Sequence, residues 1–162
     1  MNSNSPSFYR AAFGAGLVIG VLDGTAACVS AYLRRSVTPE AVFKYVAGGV
    51  FGKDAFTGGT DIALWGLLFH FTIAMAWTVL FFVAFKKVSI LSMNKFLVGF
   101  GYGLFVWLAM TFIVVPLSNL PSVPVKLVPA LIGIGIHMFV IGMPISLMAN
   151  NFFSKHPNKA PL

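Results

Sequence analysis

Four long apolar runs constrain the fold of this chain more than any other feature of its sequence. They cover about residues 11–33, 62–85, 96–115 and 127–153. At ~1.5 Å of rise per residue, a helix of about 20 residues crosses the ~30 Å hydrocarbon core of a bilayer. Because that core offers no water to backbone N–H and C=O groups, such runs can cross it only as helices or closed barrels, and runs of this length favour helices. The sequence therefore predicts four transmembrane helices.

The composition also points to lipid as the solvent of this chain. Hydrophobic residues make up 58% of the 162 residues and charged residues only 9%, whereas soluble domains carry about 25% charged residues. The connections are short, so we predict one membrane domain over residues 1–162 and no separate soluble domain. The net charge of +7 does not indicate nucleic-acid binding, because Lys and Arg cluster beside the ends of the runs, where they meet lipid headgroups.

A shorter helix is predicted between the first two runs. Thr38, Pro39 and Glu40 form a typical helix start, with a hydroxyl cap, a proline in the first turn and a carboxylate near the positive helix end. The segment of about residues 39–51 is too short to cross a bilayer, so we expect it to lie in the interface or to enter and return. The predicted fold is an all-α integral membrane protein, a left-handed antiparallel bundle of four transmembrane helices with this additional interfacial or re-entrant helix.

Glycines on the predicted spans form small-residue faces, several of them at four-residue spacing. They are Gly16, Gly20, Gly24, Gly66, Gly99, Gly103 and Gly133. Small residues let helix backbones approach closely in membranes. We interpret them as helix-packing faces, which can act within one protomer or between protomers. The predicted partners are therefore the lipid bilayer and either a membrane protein or a second copy of this chain.

The orientation of the bundle follows from the positions of its basic residues. The Lys and Arg residues divide almost evenly between the two ends of the predicted bundle, so the excess that marks cytoplasmic loops is small. The end that carries both termini has no acidic residue. We predict that both the N- and the C-terminus are cytoplasmic.

Three ionisable residues lie inside the apolar runs at about one depth. Asp23, His70 and His137 are each roughly 10 residues, or about 15 Å, from the same end of the bundle. Ionisable groups in a membrane are costly, and they indicate a functional site by default. Because each also lies on or beside a small-residue face, we expect the three to face one another, at a level that is equally accessible from both sides.

Several interpretations of this layer are open. An aspartate and a histidine on two helices can satisfy each other, which would make the layer structural. Alternatively, His70 and His137 are suited to hold haem b or a metal ion as opposed ligands. In a third interpretation the layer is a proton-linked site, because chains of Asp and His form intramembrane proton relays.

The functional prediction follows from these interpretations. No serine or cysteine nucleophile has a base at recognisable spacing, so no enzyme and no catalytic residue are predicted. We predict a non-enzymatic accessory or scaffold subunit, or a homo-oligomer, without a resident cofactor. The alternatives are a proton-coupled small transporter or channel, and a bis-histidine haem or metal-binding membrane subunit.

Short motifs along nearly the whole chain carry a resemblance to a known group. They are Leu22-Asp23-Gly24-Thr25, Val50-Phe51-Gly52, Phe56-Thr57-Gly58-Gly59, Leu68-Phe69-His70-Phe71, Val115-Pro116-Leu117-Ser118, Ile136-His137 and Gly142-Met143-Pro144. In these motifs the chain resembles a group of small bacterial four-span membrane proteins that have no assigned function. The resemblance implies the four-span fold and a location in the bacterial inner membrane, and it implies nothing about a substrate.

Overall fold

A computed structural model of the chain describes residues 7–121 and 124–156. These residues form helices and no strands, and four of the helices are long and apolar enough to cross a membrane. A shorter helix follows the first of them, so the predicted all-α fold is confirmed. Residues 1–6 and 157–162, which the single-domain prediction includes, lie outside the described residues.

The long helices extend slightly beyond the predicted apolar runs. The helices are α1 Phe8–Arg35, α2 Pro39–Phe51, α3 Thr60–Lys87, α4 Lys95–Leu117 and α5 Leu127–Lys155. Three of them begin at side-chain caps, because Ser7, Thr38 and Asn94 each accept a hydrogen bond from a backbone N–H of the first turn. Of these caps, only Thr38 was predicted. The bounds of α2 coincide with the predicted segment, since its cap and its proline are visible in the sequence.

Helices α4 and α5 each contain a π-helical segment, at Met110–Val114 and His137–Gly142. A proline follows each segment, Pro116 in α4 and Pro144 in α5. A proline inside a helix lacks an N–H and clashes with the carbonyl four residues earlier, and a wider π turn accommodates this defect. The third span was expected to stop at Pro116, but the helix continues past it by one residue. In α5 the irregular winding begins at the histidine itself.

The two ends of the bundle pack differently. At the end where α1 begins and α5 ends, a continuous core of large apolar side chains fills the interior. Its largest members are Phe8, Ile19, Phe81, Phe82, Phe85, Ile141, Ile145, Phe152 and Phe153. We call this the aromatic end. At the opposite end, called the α2 end, no residue of the first part of α5, Leu127–Ile136, is buried.

The glycines singled out from the sequence lie at helix contacts within the protomer. A side chain at Gly16, Gly20 or Gly24 of α1 would meet Met75, Phe71 or His70 of α3, respectively. Gly66 of α3 faces the backbone of Phe43 in α2. Gly99 and Gly103 of α4 face the α5 backbone near Met143 and His137, and Gly133 of α5 faces the ring of Trp107. Association between protomers stays a prediction.

Two glycines of α4 provide a test of this packing. We expect Gly103→Ala to destabilise the protein by about 1–3 kcal/mol, because its methyl group would collide with the backbone of α5 at His137 and Met138. Gly101→Ala is the matched control, since nothing lies within 4 Å of its added Cβ, and it should stabilise the helix by about 0.5–1 kcal/mol. Thermal unfolding in detergent measures both. Equal effects of the two substitutions would contradict close α4–α5 packing.

Candidate functional site

Asp23, His70 and His137 line one internal cavity of about 290 Å³. The three residues come from α1, α3 and α5, so three different helices contribute the ionisable groups. The rest of the wall is apolar or aromatic, with Tyr45 of α2 and Trp77 of α3 as its aromatic members apart from the two imidazoles. The structure therefore brings all three predicted site residues to one space.

His70 joins α3 to α1 by a hydrogen bond. Its Nε2 atom lies 2.9 Å from the carbonyl oxygen of Gly20, and a carbonyl only accepts, so Nε2 carries a proton and donates it. The tautomer thus follows from the hydrogen-bond network. In the neutral ring Nδ1 is then an acceptor. Edge contacts with the rings of Phe43 and Phe71, with centroids 5.9 and 5.6 Å away, hold the imidazole in this orientation.

The acceptor atom of His70 faces the carboxylate of Asp23. Their atoms Nδ1 and Oδ2 are 4.0 Å apart, and the two side chains are 12% and 22% exposed. Within the described residues the carboxylate has no other polar side-chain partner. An ionised carboxylate and the bare Nδ1 of a neutral imidazole are both acceptors, so they have no proton to share. One added proton would turn them into a charge-assisted pair.

His137 makes its hydrogen bond within its own helix. Its Nδ1 atom lies 2.8 Å from the carbonyl oxygen of Gly133, one turn earlier on α5, so Nδ1 donates and Nε2 is the acceptor of the neutral ring. Every fully buried polar side-chain atom in the described part of the chain has a partner. The free Nε2 is therefore accessible, and His137 reaches neither Asp23 nor His70 by a direct hydrogen bond.

The cavity wall differs between its two ends in side-chain exposure. Toward the aromatic end the wall includes Ile19 and Ile141, which are 1% and 5% exposed. Toward the α2 end it includes Tyr45, which is 44% exposed. The expectation of equal access from both sides stays a prediction. Aromatic side chains fill one end, whereas the first part of α5 packs loosely at the other.

A second space lies on the other side of His70. It is a groove of about 330 Å³ between α1, α2 and α3, and its wall includes Gly24, Thr25, Cys28 and Phe43. The imidazole of His70 lines both the groove and the cavity.

Sequence reasoning missed three residues of the cavity wall. Trp77 follows His70 by two helical turns, so helical spacing could have placed it on the same face. Its Nε1 atom lies 3.3 Å from the sulfur of Met110, and Met110 begins the π-helical segment of α4. Tyr45 carried no signal, because the position of α2 against the bundle depends on tertiary packing.

The hypothesis of a haem or metal ion between the two histidines stays a prediction. His70 already uses Nε2 for Gly20 and presents Nδ1 to Asp23, so ligation through either nitrogen would displace one of these groups. His137 has Nε2 free for a ligand. In the described residues no three His, Cys, Asp or Glu side chains are grouped closely enough to hold a metal ion.

Comparisons with protein-family models, with curated proteins and with solved structures give no match for this chain. The described residues form an all-α protein with four helices long and apolar enough to cross a membrane. An aspartate and two histidines from three of these helices share one internal cavity.

Substitutions of the two histidines should have different effects on stability. His70→Ala removes a hydrogen bond between helices, and we expect a loss of between about 0.6 and about 1.7 kcal/mol. His137→Ala removes only a bond within α5, and alanine is the stronger helix former, so its unfolding temperature should stay close to that of the wild type. Thermal unfolding in one detergent compares them. A larger loss of stability for His137→Ala than for His70→Ala would show that His137 also stabilises contacts between helices.

Proposed function

We propose that this chain is a non-enzymatic protein of the bacterial inner membrane, and that it binds a proton at Asp23 and His70 during proton-coupled transport of a small solute. The facing acceptors, Asp23 Oδ2 and His70 Nδ1 at 4.0 Å, carry this proposal. Asp and His are the usual parts of intramembrane proton relays. A site of two acceptors without a shared hydrogen is suited to accept one.

The same geometry supports a proton site over a purely structural layer. A structural layer would satisfy its polar groups by hydrogen bonds across the helices. Here only His70 bonds to another helix, at Gly20, while His137 bonds to its own helix and Asp23 lies beyond hydrogen-bond distance of His70. The layer therefore keeps free acceptors on a space large enough for several water molecules.

The packing supports transport over a scaffold role. A scaffold or homo-oligomer was inferred from the glycine faces, but these glycines contact other helices of the same protomer. Large buried side chains lie beside the cavity at the aromatic end, so the proposed opening is toward α2, as in one state of an alternating-access cycle. With this opening and with cytoplasmic termini, both part of the proposal, the cavity faces away from the cytoplasm.

Irregular helix winding beside the cavity gives further support. The π-helical segments of α4 and α5 begin at Met110 and His137, and both residues line the cavity. Such segments are frequent at functional sites, and transporters place interrupted helices at the substrate and ion site. A helix that is already irregular at this point can change its winding at a lower cost in free energy than a regular helix can.

The proposal predicts a protonation signal that depends on Asp23. In reconstituted vesicles, we expect a pH jump to produce an infrared difference signal from the carboxyl group of Asp23, because a proton bound at Asp23 or at the facing His70 changes that group's vibrations, and Asp23→Asn should remove this signal. With candidate solutes added to the vesicles, the same substitution should abolish the solute-dependent dissipation of an imposed pH gradient, followed with an internal pH dye. Asp61→Asn is the matched control, because Asp61 lies in the first turn of α3 and outside the cavity.

Two outcomes would contradict proton binding at this site. One is a carboxyl signal that persists in Asp23→Asn, and the other is solute-dependent gradient dissipation at the same rate in Asp23→Asn and in the wild type. Circular dichroism of each variant checks that the helices have formed. Asp61→Asn should retain both the signal and the flux, since its carboxylate does not face His70.

A further inference from the structure

We propose that the cavity binds a small organic ammonium cation, which competes with the proton for Asp23. This inference rests on the proposed function, because it identifies the class of solute that the same site would exchange for a proton. It is carried by the charge of the cavity, the chemistry of its wall and its size.

The charge of the cavity favours a cation. Among the described residues, the carboxylate of Asp23 is the only group on the cavity wall that is formally charged when both imidazoles are neutral, and no Lys or Arg of this part of the chain lines the space. The remaining wall is apolar or aromatic, so it offers the carboxylate little solvation. A negative charge in such surroundings needs a positive partner or a proton. An anion or a neutral polar solute would leave the negative charge of Asp23 uncompensated.

The wall favours an organic cation over a metal ion. Hard cations such as Ca²⁺ and Mg²⁺ take six or more oxygen ligands, whereas the side chains of this wall offer one carboxylate and the hydroxyl of Tyr45. Tyr45 and Trp77 add aromatic rings, which attract ammonium groups through their π-systems. Alkyl groups on the nitrogen would meet the aliphatic wall at Ile73 and Val106.

The volume limits the size of the ligand. At about 290 Å³ the cavity lies near the lower end of the range for small-molecule sites, which is roughly 300–1,000 Å³. It can enclose an ammonium group with a few small alkyl substituents, and it is too small for a drug-sized molecule. Tyr45 lines the cavity and is partly exposed, so its ring would lie at the opening proposed toward α2.

Competition with the proton follows from the single carboxylate. A cation needs Asp23 ionised, and protonation removes the charge that attracts it. The position of His70 strengthens this exclusion, because an imidazolium 4.0 Å from the carboxylate would repel the ligand. Binding of the cation should therefore weaken as the pH falls, and binding of the cation should release a proton.

Tetramethylammonium is the probe that tests this inference. Trp77 is the reporter in the full-length variant Trp65→Phe/Trp107→Phe, because these two tryptophans do not line the cavity. We expect saturable quenching or a spectral shift of Trp77 fluorescence with tetramethylammonium, and none with tert-butanol, a neutral molecule of similar shape. Acidification should raise the apparent Kd, and Asp61→Asn should leave it unchanged.

Three substitutions separate the contribution of charge from that of aromatic contact in the same background. Asp23→Asn should raise the Kd at least about tenfold, since it removes the only counter-charge. Tyr45→Leu should weaken binding by about two- to fivefold, as expected for the loss of one partly exposed cation–π contact. Tyr45→Phe retains the ring and should bind almost as well as the parent.

The outcomes distinguish this inference from the proposed function. An equal response to tert-butanol, no saturable response, or a Kd that changes with neither Asp23→Asn nor pH would overturn the inference. If the infrared signal of Asp23 persists in these cases, the site still binds protons and only the solute class is wrong. If that signal is absent, the proposed function itself fails. Because the pH series uses the unaltered site, it remains decisive even if Asp23→Asn does not fold.

Discussion

The hydrogen bond from His70 to the Gly20 carbonyl determines both the packing and the chemistry of this protein. It joins α3 to α1 at the level of the cavity, where Gly24 leaves room for the imidazole. Because the carbonyl can only accept, the same bond fixes the tautomer and turns Nδ1 into an acceptor. That acceptor faces Asp23, which lies one turn beyond Gly20 on α1. A structural contact thus produces the chemical property on which the functional argument depends.

The sequence predicted the fold because its signals are local, whereas the cavity depends on contacts between distant segments. Apolar runs of adequate length predicted the four spans, and the cap at Thr38 with Pro39 predicted α2 with its observed bounds. The depth of Asp23 and the histidines was also readable by counting residues. Their partners were not, because a hydrogen bond of His137 to its own helix or to a neighbour depends on the rotation of α5.

The unequal packing of the two ends of the bundle also depends on contacts between distant segments. Counting residues places Asp23 near the middle of its helix, and it indicates no difference in packing between the two ends. The observed asymmetry results from side-chain volume, since Phe81, Phe82 and Phe153 fill one end and no equivalent set occurs on the first part of α5. These large side chains can be read from the sequence. Whether they meet in one core depends on the relative positions of α1, α3 and α5.

The glycine contacts divide the bundle into two units with the cavity between them. Gly16, Gly20 and Gly24 hold α1 against α3, while Gly99 and Gly103 hold α4 against α5 by contacts between backbones. Asp23 and His70 belong to the first unit and His137 to the second. Backbone contacts of this kind leave little freedom within a unit, so a change in the cavity is easiest as a movement of one unit against the other. Transporters with a central site work by such rocking of rigid parts. A proton shared by Asp23 and His70 would act at the boundary where these two units meet.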